Sequence, residues 1–414
     1  HRLGNSPTFH GSCLDFTNPE AVDWWQDNIR RLVAMGVSGF KTDFGEQVPE
    51  DACFYDGRTG REMHNPYPRL YNEVTYEAMH QVWPGVLLAR SAWHGSQRLS
   101  AIWAGDQTAD FAPASGLPSA IIAGQSAGLS GFPYWASDIG GYFGTPTAET
   151  FVRWSQFGDF SPIMQIHGAG PREPWRLGEE LLETYRTYAQ LHIDLFPYIY
   201  TYAHRASRTG IPLMRALALE FPAEPGVWGE MAEHQYCFGS ELLVAPIYYG
   251  FDRFRTLYLP RGRWCDFWTG ERIAGGQVIR RPATVYQIPV FARAGAIIPR
   301  LDPPASTLLP ASSTGIQQAG DDLRLDLYPG EDGSFRLYDG TGFRWDDAAQ
   351  TLTISDSPVM RQVSCRRVGL DPGDFASAAC ASQPLPAKLG SLNGERDYAR
   401  VTVGGQMVTF KWGS

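Results

Sequence analysis

The sequence predicts an α/β fold: the C-terminal part of a (β/α)8 barrel over residues 1–210, followed by antiparallel β domains at 211–300 and 301–414. Three observations carry this. Up to about Gly210, short apolar strands that end in a polar residue alternate with helical stretches, the pattern of a barrel whose chemistry sits at strand C-termini. Beyond Gly210 the texture changes to short alternating runs punctuated by Gly and Pro, which reads as antiparallel sheet. Five strand–helix units are found where a closed barrel needs eight, so about three are expected to precede this chain, and the barrel it builds alone is expected to be open on that side.

The elements follow in order. Residues 19–35 (PEAVDWWQDNIRRLVAM) have helical periodicity, with Asn18 as N-cap and Gly36 as terminator. Residues 37–42 (VSGFKT) form a strand ending at Asp43. A helix over 68–83 leads to a strand at 85–89 that ends at Arg90, and the strand 101–103 ends at Gly105 and Asp106. A helix rich in small residues over 116–130 precedes the strand 132–136, which runs to Asp138. The strand 163–166 ends at His167, and one long helix is expected from 178 to 208. In the β domains, strands are expected at 241–248, 255–259, 287–291 and 296–299. Residues 301–319 read as a Pro- and Ser-rich linker, and 323–328 with 334–338 as a hairpin around PGEDG.

The strand ends hold the candidate chemistry. Asp43 and Asp106 are carboxylates placed alike after two apolar strands, and a retaining glycosidase needs two carboxyl groups about 5 to 5.5 Å apart. A carboxylate after a strand also serves as a helix N-cap, which is the competing role for Asp43. Arg90 could hold either carboxylate ionised, bind a sugar hydroxyl, or form a structural ion pair. Lys41 faces the barrel interior or the helix layer, depending on register. Asp138 is a ligand for hydroxyls or a cap for the glycine turn behind it, and His167 is a ligand or a satisfied polar group. Five polar residues at successive strand ends favour an enzyme over a binding module.

Composition excludes several classes. The net charge of −9 argues against a nucleic-acid partner. No run of 18 apolar residues offers a membrane-spanning helix, and no membrane partner is expected. The six cysteines lack CxxC or metal-ligand spacing, so they read as reduced, mostly buried thiols, with no metal site. No basic-then-apolar leader is visible, which favours the cytoplasm, although the chain starts at His1 and a leader would belong to an upstream segment.

These segments together resemble glycoside hydrolase family 31, from about Asp15 (DFTNPEAVDWW) to Pro299 (FARAGAIIP). FKTDFGE is similar to the family's nucleophile segment, which implies that role for Asp43. RSAWHGSQRLSAIWAGDQ resembles the acid/base segment, which makes Asp106 the proton donor, with Arg90 and Trp103 lining the pocket. GFPYWASDIGGY, carrying Asp138, and QIHGAGPREPW, carrying His167, match further substrate-binding stretches, and Lys41 stands two residues before the nucleophile. Any one match is weak, but five in order are specific. The resemblance implies two sandwich-type β domains after the barrel, no cofactor, and a small-molecule or oligosaccharide α-glycoside as substrate. It implies a retaining exo-α-glycosidase, α-glucosidase or α-xylosidase. A sulfoquinovosidase, a transglycosylase, an α-glucan lyase and an inactive fragment stand as alternatives, and an oligomer is open for the full-length protein.

Overall fold

The side chain of Asn18 accepts the Glu20 N–H and opens helix α1 (Pro19–Ala34), which stops at Met35 before Gly36, in the left-handed region at φ 104°. The computed structural model describes residues 12–251, 253–282, 284–308, 322–369, 375–380, 383–384, 388–392 and 395–412; from 375 to 400 it describes the backbone alone.

After α1 the chain lays down β1 (Gly39–Thr42), the short α2 (Gly60–Met63), α3 (Pro66–His80), β2 (Val86–Ala89), β3 (Ala101–Trp103), α4 (Leu117–Leu129), β4 (Trp135–Asp138), α5 (Ala148–Asp159) and β5 (Ile163–Gln165). The five strands pair in sequence order, all parallel, with Gly39 opposite Val86, Leu88 opposite Ala101, Ile102 opposite Trp135 and Ala136 opposite Ile163. Helices bury one face of this sheet: Ile29 and Val33 of α1 and Ala78 and Met79 of α3 close over Leu87, with Phe40 packed beside them. Parallel strands with helical crossovers place all five strand C-termini at one edge, where the site is built.

Three sequence expectations need correction. No helix was expected between Asp138 and residue 163, yet α5 lies there. Its residues from Thr150 to Asp159 are all buried, the polar Arg153, Gln156 and Asp159 included, so its polar side meets protein rather than water. Arg153 of this helix donates to the carbonyls of Thr284 and Gln287, wedging α5 against the following β domain. The single helix expected over 178–208 is two, α6 (Glu179–Asp194) and α7 (Phe196–Thr209), broken just before Pro197, which has no N–H and crowds the preceding turn.

The third correction concerns the hairpin around PGEDG. The strands β6 (Ile297–Leu301), β7 (Leu323–Leu327) and β10 (Arg361–Arg367) run side by side, whereas β8 (Gly333–Arg336) pairs with β9 (Gly342–Asp346) in another sheet. The two expected arms therefore never pair with each other. Of the expected linker 301–319, Leu301 is strand, and residues 309–319 lie outside the described residues.

A six-stranded antiparallel sheet spans residues 214–293, and two further sheets, of five and six strands, fill the remainder. Leu325, Val363 and Val401 of one share a buried core with Phe335, Phe343 and Phe410 of the other. Of the five cysteines whose side chains are described, all are free thiols, and Cys237, Cys265 and Cys365 are buried. No helix among the described residues is long and apolar enough to cross a membrane.

Candidate active site

Thr42 anchors the end of β1: its hydroxyl donates to Asn72 of α3 at 2.9 Å, and the Asn72 amide donates on to the Ser91 carbonyl, tying two strand ends to one helix. With Thr42 on the helix side, strand alternation sends Lys41 to the opposite face. Its ammonium lies 4.0 Å from the centre of the buried Trp103 ring and 4.0 Å from Asp138 Oδ1, so the inward register holds.

Asp43 leaves β1 on a tight turn. Phe44 takes φ 60°, and Gly45 follows at φ 98°, where a side chain would meet Ser91 Oγ at 2.5 Å. A bulky residue at positive φ is costly and persists where the surroundings hold it. Here Ser91 donates to the Phe44 carbonyl, and the Phe44 ring lies 4.0 Å below the Arg90 guanidinium. Among the described residues the Asp43 carboxylate accepts the adjacent Phe44 N–H and pairs with an arm of Arg90; the next helix begins at Gly60, so an N-cap role is ruled out.

Arg90 is the centre of the site. Its Nη1 lies 2.9 Å from Asp43 Oδ1 and 3.4 Å from Asp106 Oδ2, while Nη2 lies 2.7 Å from Glu46 Oε1. Because Asp43 at 2.9 Å and Asp106 at 3.4 Å share one nitrogen, those two oxygens are at most about 6.3 Å apart, the sum of the distances. Partial burial raises the Asp106 carboxyl above its usual value, and the attraction of Arg90 offsets this only in part.

Asp138 is fully buried. Burial pushes its pKa to about 6 against the pull of Lys41 and a 2.7 Å hydrogen bond from Gln165. Its Oδ2 has no hydrogen-bond partner among the described residues, and the glycine turn is closed by its backbone carbonyl, which accepts the Gly141 N–H. The side chain is thus left for the cleft. His167 is exposed beside Tyr142, at 5.4 Å between ring centres, and its pKa is lowered by partial burial and by Lys41.

All seven residues singled out from the sequence meet at this edge. Two participants were missed. Glu46, in the same FGE segment, completes the ring of carboxylates around Arg90. Tyr71 faces Asp43, and its hydroxyl is pushed up to about 12 by burial and by that carboxylate. Helical periodicity marked Tyr71 only as a residue of α3, and nothing local marked its direction. A cavity of ≈ 200 Å³ lies against Asp43, walled by Phe16, Trp25, Tyr67 and Tyr71. Among the described residues, no group of three or more His, Cys, Asp or Glu side chains is arranged to hold a metal ion.

Comparison with known proteins matches residues 3–202 to the glycosyl hydrolases family 31 TIM-barrel domain and residues 210–298 to the glycosyl hydrolase family 31 C-terminal domain. The chain belongs to glycoside hydrolase family 31. Within the family it is 35% identical over 380 residues to an isomaltosyltransferase of Sporosarcina globispora, covering 86% of this chain and 33% of that protein. It is 36% identical over 319 residues to an α-xylosidase of Saccharolobus solfataricus, covering 71% of this chain and 42% of the relative. The solved cycloalternan-forming enzyme of Listeria monocytogenes, in complex with a pentasaccharide substrate, superposes with a TM-score of 0.83 at 30% identity. That likeness covers 99% of this chain and 42% of the other. The family 31 chain described here therefore spans between a third and less than half the length of these relatives.

Proposed function

We propose that this chain carries the reacting carboxylates of a retaining α-glycosidase, with Asp43 as nucleophile and Asp106 as acid/base, and that its five parallel strands are a segment of the family's (β/α)8 barrel. The observation that carries the assignment is the shared Arg90 nitrogen, 2.9 Å from one carboxylate and 3.4 Å from the other. That bound is compatible with the retaining separation of about 5 to 5.5 Å and falls short of the 6.5 to 9.5 Å that an inverting water requires.

In this reading Asp43, ionised beside Arg90, attacks the anomeric carbon while the protonated Asp106 gives its proton to the leaving oxygen. A covalent glycosyl-enzyme forms, and Asp106, now a base, takes a proton from the water that releases the α-sugar. The raised Asp106 pKa supports the acid role. Asp138, Lys41, Trp103 and His167 would hold sugar hydroxyls and the apolar ring face. The substrate is an α-glucoside or an α-xyloside.

The test is a leaving-group series on the complete protein. With Asp106→Ala, turnover of unactivated glycosides should fall about 10²- to 10⁴-fold, while the first step on aryl glycosides with good leaving groups is spared. Equal losses on both would remove Asp106 from the role. Aryl α-glucoside, α-xyloside and α-sulfoquinovoside tested side by side decide the substrate.

A second reading, transglycosylation, is favoured by one observation: the match to the isomaltosyltransferase extends over 86% of the chain, that to the α-xylosidase over 71%. Longer oligosaccharides formed in place of free sugar would select it.

A further inference from the structure

Arg172 is a buried arginine that the chemistry above does not use. It lies in the loop after β5, five residues beyond His167. It pairs with no carboxylate among the described residues. Its guanidinium donates instead to four backbone carbonyls: Nε to Gly141 at 2.5 Å, Nη1 to Gly170 at 2.8 Å, and Nη2 to Tyr142 at 2.6 Å and Gly144 at 2.8 Å. Three of those carbonyls belong to the loop that follows Asp138.

That loop is itself stitched to the one that begins at Asp106. The N–H groups of Tyr142 and Phe143 both donate to the Gln107 carbonyl, and the Ala109 N–H donates to Phe143. The Ala169 N–H, next to His167's loop, donates to the Tyr142 carbonyl. Three strand-end loops, bearing Asp106, Asp138 and His167, are thereby one hydrogen-bonded lattice with Arg172 on one side and the Asp106 loop on the other.

The packing leaves no slack. A side chain at Gly141, at φ 76°, would meet the Thr108 carbonyl at 2.6 Å, and one at Gly168 would meet the Arg172 guanidinium at 2.1 Å. Only a planar fork with five fixed donors can serve four carbonyls at once; an ammonium with three rotating donors cannot.

We propose that Arg172 is a positioning residue for the proton donor: it clamps the 141–144 loop onto residues 107–109 and so sets the place and the partial burial of the Asp106 carboxyl. The inference rests on the acid/base role proposed for Asp106. Without the clamp the Asp106 loop loosens, more water reaches its carboxyl, and the partial burial that raises its pKa is reduced.

The experiment compares Arg172→Lys and Arg172→Met with the unaltered complete protein. In either variant, kcat on glycosides with poor leaving groups should fall about 10- to 100-fold while activated aryl glycosides lose less than threefold, a kcat effect with KM nearly unchanged. The alkaline limb of the pH profile should move to lower pH. Should Arg172→Met fail to fold, Arg172→Lys carries the test, with the same pattern at smaller amplitude. Amide hydrogen exchange reads the clamp without any chemistry: Ala109, Tyr142 and Phe143 should exchange at least tenfold faster in Arg172→Lys. Uniform losses across leaving groups, with the alkaline limb in place, would overturn the proposal, as would unchanged exchange at those amides. If Asp106→Ala shows that Asp106 is not the acid while exchange in Arg172→Lys still rises, the clamp stands and the functional reading falls.

Discussion

Two groups of carboxylates and arginines, one at the strand ends and one in the β domains, are built on opposite principles. At the strand ends, Asp43, Glu46 and Asp106 share the single guanidinium of Arg90, and the Asp43 side chain is 54% exposed. In the β domains, Asp326 of β7 is fully buried between Arg300, at 2.9 Å, and Arg366, at 2.7 Å. Burial alone would raise the Asp326 carboxyl, but Arg300 and Arg366 together hold it well below the usual carboxylate range. Nearby Asp159, with neither carboxylate oxygen hydrogen-bonded among the described residues, is pushed well above that range by burial.

In the buried group both oxygens of Asp326 are matched by a guanidinium, Oδ2 by Arg300 and Oδ1 by Arg366, which is what low dielectric demands of a buried carboxylate. In the cleft, carboxylates outnumber cations and water reaches them. In the proposed reading, the Asp43 carboxylate is thereby available to an anomeric carbon and the Asp106 proton to a leaving oxygen. Matched and dry reads as structure; unmatched and half-solvated reads as chemistry.

The largest effect that would break this contrast comes from a pair of truncations. Asp43→Ala should lower turnover by about 10⁴-fold or more, with little change in unfolding. Asp326→Ala should remove the carboxylate that Arg300 and Arg366 share and destabilise the fold by about 3 to 5 kcal/mol, while the folded fraction keeps its turnover. Denaturant unfolding and aryl glycoside kinetics on both variants read the outcome. A stability loss of equal size in Asp43→Ala would erase the distinction.

A smaller effect appears in the pH dependence of stability. The folded-state pKa of Asp138 is about 6, raised from 3.8 by burial. The native state thus binds the proton more tightly than the unfolded chain, and stability falls as pH rises through that window, by at most about 3 kcal/mol. Asp138→Asn should flatten this slope between about pH 4 and 6. Asp326, whose pKa is lowered, works with the opposite sign: its stabilisation is complete above the unfolded value near 4 and is lost only as pH falls below it. Asp326→Asn should therefore leave the slope between about pH 4 and 6 unaltered. Unfolding at three pH values in each variant measures both, and a slope no smaller in Asp138→Asn than in the unaltered protein would dismiss the assignment.

The smallest effect sharpens the comparison from outside. Arg263 and Glu331 pair at 2.9 Å with both side chains largely in water. Arg263→Gln should change stability by less than about 1 kcal/mol and turnover not at all, because solvent screens a pair that is neither buried nor imbalanced.

Much of the strand-end edge was legible from local pattern. Apolar runs ending in Asp43, Arg90, Asp106, Asp138 and His167 marked strand C-termini, and parallel order then had to bring them to one edge. Where the pattern was silent, the cause is packing. Helix α5 turns its polar Arg153 and Gln156 to the following β domain rather than to water, and one partner of β7 is a strand that arrives 34 residues after β7 ends, at Arg361. No rule of short range could find that pairing.

The sequence by itself determined the order of the elements, the placement of polar residues at strand ends and, through five matched segments, the family. Only the tertiary structure decided that Lys41 points inward, that Arg90 holds Asp43 and Asp106 on one nitrogen with Glu46 on the other, and that Arg172 meets four carbonyls. Periodicity is a property of neighbouring residues and survives in one dimension. Which charges share a nitrogen, and which of them water can reach, depends on distances between segments far apart in the chain, and those exist only once the sheet and its loops are packed.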